Sequence, residues 1–89
     1  MYLHLGQETV VKEKEVIGIF DLDTSTVSKH TRTFLNKAER NKEVINVSYE
    51  LPKSFILCSK GKKEKRVYIS QISTATLNKR SNFERNDFK

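Results

Sequence analysis

Three apolar runs, "VIGIF" (16–20), "SFILC" (54–58) and "VYI" (67–69), are each too short to be a core helix and are bounded by charged or turn-forming residues. Runs of this length, rich in β-branched and aromatic side chains, fit strands. Between the first and second the hydrophobic period changes. Val27, Thr31, Phe34, Leu35 and Ala38 fall on one stripe at helical spacing, and Lys29, Arg32, Lys37 and Arg40 fall off it. A chain that switches period once and then switches back is predicted to be α+β, with a helix laid on a sheet.

The remaining punctuation fills in that frame. "YLHL" followed by Gly6 reads as a short strand ending in a turn, with "TVV" pairing back as a hairpin. "VIGIFDLD" is apolar on both faces and is expected to be a central strand, with Gly18 marking a bulge or a close backbone approach. Asp23, Thr24 and Ser25 are candidate N-caps for a helix from about Thr24 to Arg40, and Asn41 is a candidate C-cap. "EVINVSYE" is expected to be a strand that stops near Glu50, because Pro52 cannot donate to a ladder. "SFILCS" and "RVYISQI" flank a lysine-rich turn at Gly61. "STATLNKR" is a short C-terminal helix. The predicted architecture is therefore a small, mostly antiparallel sheet with one long helix packed on it and a short C-terminal helix. Residues 1–80 form one domain, and 81–89 are a flexible tail.

At 89 residues, one core buries a modest fraction of the surface, so burial against a second copy would help. The single cysteine, Cys58, has no internal partner, which fits a reducing compartment. No basic leader with an apolar core is visible, and no window approaches the roughly 20 apolar residues of a membrane span. The expectation is a cytoplasmic protein, nucleoid-associated if it binds DNA, with no membrane partner. The net charge of +6 is unevenly spread. Residues 1–23 hold two cations and five anions, whereas residues 24–80 hold thirteen cations and four anions. Such an excess raises the prior for a polyanionic partner.

Five of the seven residues 60–66 are cationic: Lys60, Lys62, Lys63, Lys65 and Arg66. The run fits a phosphate grip, since each contact releases condensed counterion. It equally fits a solvated hairpin tip whose lysines protect an edge, and from the residues alone that is the commoner case. The helix cations have the same two readings. Without a second helix set before the first by a short turn, a helix-turn-helix is not supported. Catalysis finds little footing. His4 and His30 lie in different elements, no ladder of zinc ligands exists, and Cys58 sits in an apolar strand where a thiol is usually inert. Gly6, Gly18 and Gly61 form no phosphate loop. No enzyme, cofactor, metal or small-molecule substrate is expected.

Taken together, "YLHLGQETVV", "VIGIFDLDT", "FLNKAERNKEVINVSYELPKSFILC" and "VYISQISTATLNKR" resemble the RemA/RemB-type extracellular matrix regulators of Gram-positive bacteria, closest to the RemB branch. The resemblance covers about residues 1–80. It implies a small α+β protomer, ring-like homo-oligomers and, for RemA-type members, DNA binding that activates biofilm-matrix genes. Those members carry paired arginines directly after the segment matching "VSYE", where this chain has Leu51 and Pro52. An arginine expected before the Val16–Phe20 strand is replaced by Glu15, beside Lys14.

The leading expectation is a ring-like homo-oligomeric regulator of extracellular matrix genes that holds double-stranded DNA by its phosphates. The DNA-facing set is expected to be Lys53, Lys60, Lys62, Lys63, Lys65 and Arg66, with Lys14, Lys29 and Arg32 next. The alternative is a protein-interaction ring or scaffold that does not bind DNA and modulates a paralogous regulator. RNA binding ranks third, because Tyr2, Phe20, Tyr49, Phe55 and Tyr68 would have to be exposed for stacking and most look like core.

Overall fold

The structure, a computed structural model, describes residues 1–22, 28–61 and 64–86, with side chains up to Ser81. Strand β1 (Tyr2–Gly6) turns back on β2 (Thr9–Lys12) as the expected antiparallel hairpin. Its turn is built on positive φ, 121° at Gly6 and 50° at Gln7, which a glycine at position 6 accommodates without strain. A 3₁₀ turn (Glu13–Glu15) then leads into β3 (Val16–Asp21). Helix α1 (Lys29–Arg40) crosses to β4 (Val44–Asn46). Strands β5 (Ser54–Lys60) and β6 (Glu64–Ser70) form the second hairpin, and α2 (Thr74–Asn86) closes the chain.

The α+β class holds, but the sheet differs from the expected one. The described residues form two sheets, the β1–β2 ribbon and a four-stranded sheet in the order β3-β5-β6-β4. Strand β4 runs parallel to β6, because α1 carries the chain across the sheet from one edge to the other. Strand β3 is an edge strand and not a central one. Apolar residues on both faces of a strand report layers above and below it; they carry no information about neighbours within the sheet. The bulge read from Gly18 is present, as a register shift between Val16 and Gly18.

Two cores lie on opposite faces of the four-stranded sheet. On one, the ribbon and α2 bring Leu3, Leu5, Val11 and Leu77 onto Ile56, Cys58 and Val47. On the other, α1 lays Phe34, Leu35 and Ala38 over Phe55, Val67 and Val44. Strand β5 is buried from both sides, which explains its unbroken apolar run.

The helix expected to be long has 12 residues and starts after Ser28, whose Oγ accepts from the Thr31 amide at 3.5 Å. The candidate caps Asp23, Thr24 and Ser25 lie outside the described residues. Asn41 is the C-cap, as expected. The C-terminal helix, expected to be short, has 13 residues, one more than α1, and runs through Ser81, which is buried. The strand expected to reach Glu50 stops at Asn46. Ser48 Oγ captures the Glu50 amide at 3.0 Å, a local bond that competes with the ladder and turns the chain out of the sheet.

Candidate nucleic-acid interface

Strand pairing decides which cations meet. Lys60 and Glu64 are register partners at the turn end of the β5–β6 hairpin, and Ser59 pairs with Lys65 and Cys58 with Arg66. Because side chains alternate, Lys60 and Arg66 point to the ribbon face and Lys65 to the α1 face. Antiparallel pairing of Val16 with Cys58 carries Lys14, on the 3₁₀ turn, toward Lys60. All four cations are exposed. Arg66 approaches Glu64 at 3.7 Å, but both side chains are more than half exposed, so the pair is screened and worth little.

Helix α1 ends at this same corner. Lys37, Ala38 and Asn41 line a groove of about 350 Å³ together with Phe34, Glu43 and Lys65. A neighbouring notch of about 360 Å³ is lined by Lys42, Glu43, Ile45, Glu64, Lys65 and Arg66. The notch exists because β4 begins only opposite Val67, leaving the first residues of β6 without a neighbour on that side. Lys37 and Lys42 thus join Lys65 and Arg66, although neither belonged to the set expected to face DNA. Helical spacing from Phe34 could have pointed to Lys37. Lys42 follows from no local pattern, since its position depends on a turn with φ of 61°. The corner is not uniformly basic, because Glu43 and Glu64 lie within it.

The other expected site residues are dispersed. Lys53 is exposed just before the opposite end of β5, seven positions from Lys60, or about 23 Å. Lys29 and Arg32 are exposed on the first turns of α1, away from the hairpin corner. Lys62 and Lys63 lie outside the described residues. Arg80, midway along α2, donates to the His4 carbonyl at 2.9 Å and so ties α2 to the ribbon.

Cys58 is 5 % exposed, and burial, aided by the Glu15 carboxylate, pushes its thiol up to about 11. It therefore stays protonated and packs as a small apolar side chain. Among the described residues, no three His, Cys, Asp or Glu side chains gather as metal ligands. No helix among them is long and apolar enough to cross a membrane.

The aromatics do not all follow the expectation of a core role. Phe55 is buried, whereas Tyr49 is 106 % exposed and Tyr2 66 %. Leu51, two residues after Tyr49, is 81 % exposed.

A ribbon and a helix thus lie on opposite faces of a small sheet, with cations gathered at one corner. Residues 2–80 match the family model for RemA-like proteins, described as extracellular matrix regulatory protein A-like, and the chain belongs to that family. It is also similar to Extracellular matrix regulatory protein B of Bacillus subtilis (strain 168), 35% identical over 83 residues that cover 93% of each chain.

Proposed function

We propose that the chain is a DNA-binding transcriptional regulator of extracellular-matrix (biofilm) genes. It works as a homo-oligomeric ring, holding the duplex by its phosphates and catalysing no reaction. The observation that carries this reading is the convergence of Lys37, Lys42, Lys65 and Arg66 from three elements around two adjoining grooves. Lys60 and Lys14 extend the same corner across the sheet end. One protomer with a few such contacts would hold DNA weakly, with a Kd on the order of 10⁻⁴–10⁻⁶ M at physiological salt. A ring repeats the corner at fixed spacing, so later contacts form at high effective concentration. Lysines without interleaved aromatics neutralise phosphates and do not read bases, so sequence preference is expected to be weak.

Duplex binding measured across salt concentrations tests the proposal. Lys65→Glu with Arg66→Glu should lower retention at low salt at least ten-fold while the native mass stays unchanged. Undiminished binding by this variant would remove the hairpin corner from the interface. The exposed apolar loop around Tyr49 and Leu51 favours a second reading, a ring that contacts another protein and modulates a paralogous regulator. A steep fall in duplex binding between low and moderate salt counts against it.

A further inference from the structure

The β5–β6 hairpin sets one hydroxyl among the cations of its turn end. Ser59 pairs in register with Lys65, and the two side chains share the α1 face of the sheet. Cβ atoms of such partners stand about 4.5–5.5 Å apart, so a group carried on Ser59 Oγ lies within reach of the Lys65 ammonium. Lys60 and Arg66 occupy the neighbouring positions, and all three cations are exposed. The hydroxyl itself is lightly held. Ser59 Oγ donates to the Gly61 carbonyl at 2.7 Å, a local bond at the surface.

The other described serines are committed elsewhere. Ser54 and Ser70 are buried at the far end of the same hairpin, and Ser81 is buried on α2. Ser28 and Ser73 each stand just before a helix and accept from an amide three residues on. Ser48 holds the Glu50 amide. Among the described residues, Ser59 is the serine that stands at the cationic corner. A charge added there meets solvent on one side and an ammonium on the other, so it escapes the cost of burial.

We propose that Ser59 is a phosphorylation site whose phosphate docks on Lys65 and closes the cationic corner to polyanions. Ser59 Oγ attacks the γ-phosphorus of a nucleoside triphosphate held by a protein kinase. The Oγ–P bond forms as the bond to the β-phosphate oxygen breaks, the nucleoside diphosphate leaves, and the hydroxyl proton passes to the kinase's base. The product carries about −1.5 to −2 charge at pH 7 and three acceptor oxygens. Lys65 lines both grooves of the corner, one with Lys37 and one with Lys42 and Arg66. The phosphate therefore takes up an ammonium that a duplex would use and repels the duplex from its neighbours. Glu43 and Glu64 already dilute the corner, so one further dianion weighs heavily. The effect on DNA rests on the DNA reading, whereas the site and its contact with Lys65 do not.

Peptide mapping by mass spectrometry of the full chain isolated from its own cells tests the site. The Ser59 peptide should carry one phosphoryl group, and Ser59→Ala should lose it. The full chain with phosphoserine installed at position 59 tests the contact. Its ³¹P titration should place the second ionisation of the phosphate at least about 0.5 pH units below the ordinary value near 6, and Lys65→Ala should return it. Heparin–agarose reads the corner without DNA, and the phosphorylated chain should elute from it at lower salt. Its duplex retention at low salt should fall at least ten-fold (roughly the loss of one or two phosphate contacts), while Ser59→Ala should stay within about two-fold of the parent. An unmodified Ser59, a phosphate indifferent to Lys65→Ala, or unchanged heparin elution would each overturn the proposal. A parent held by heparin but not by duplex refutes the DNA reading alone, and the phosphate and heparin results still decide the site.

Discussion

Ser70 Oγ donates a 2.7 Å hydrogen bond to the Leu5 carbonyl, joining the central sheet to a ribbon 65 residues earlier in the chain. The same oxygen accepts from the Ile72 amide at 3.0 Å, and Ser54, its register partner, donates to the Ile72 carbonyl at 2.7 Å. Both serines are fully buried. Ser70→Ala leaves the Leu5 carbonyl and the Ile72 amide without this partner, at a cost of about 1–3 kcal/mol. Urea unfolding should show that loss. A change below about 0.3 kcal/mol would mean the latch contributes nothing.

Gly18 sits under the Phe20 ring, where an added Cβ would come within 2.6 Å of Phe20 Cζ. Gly18→Ala must therefore push the ring off its stack with Phe55, worth about 0.5–1.5 kcal/mol. Against that, alanine in a strand recovers about 0.5–1 kcal/mol of backbone entropy. A double-mutant cycle separates the two effects. Gly18→Ala should be neutral or stabilising in a Phe20→Ala background and less favourable in the parent. Equal effects in both backgrounds would contradict the contact.

The Cys58 thiol is held near 11 against its ordinary 9.0, chiefly by burial. At pH 8 its thiolate fraction is about 100-fold below that of a free cysteine, so a thiol reagent should label it at least that much more slowly until the chain is denatured. The linkage sign follows. Between pH 9.0 and about 11 the unfolded chain releases a proton that the folded chain keeps, so this group lowers stability as pH rises through that window and has no effect below it. Cys58→Ser should remove that part of the alkaline slope. Rapid labelling of the native protein at pH 8 would show the strand to be open.

Glu64 pairs with Lys60 in register and faces Arg66 at 3.7 Å on an exposed surface. Glu64→Lys adds two positive charges at the hairpin corner, with an expected stability change within about 0.5 kcal/mol. If that corner holds phosphates, duplex binding should strengthen and its salt dependence steepen by one to two units in the log–log slope. An unchanged slope would place the DNA elsewhere on the protein.

Period and the turn residues Gly6 and Gly61 made both hairpins legible, and period also gave the amphipathic stripe of α1 and the inert place of Cys58. Each depends on interactions between neighbours in sequence or on strict alternation. The edge position of β3 was not legible, because alternation reports which faces are covered and is blind to lateral neighbours. Nor was the early end of β4. One serine hydroxyl, Ser48 Oγ, competes there with a ladder that the apolar pattern would otherwise continue.

The cationic excess between residues 24 and 80 belongs to the sequence, as does the lysine-rich turn. Charge and composition are additive and need no fold to be counted. The tertiary structure alone decided which cations stand together, setting Lys37 and Lys42 beside Lys65 and leaving Lys53 about 23 Å away. It also decided that Tyr49 and Leu51 face solvent. Both outcomes follow from strand register and helix crossing, which bring distant residues together through contacts that no local window contains.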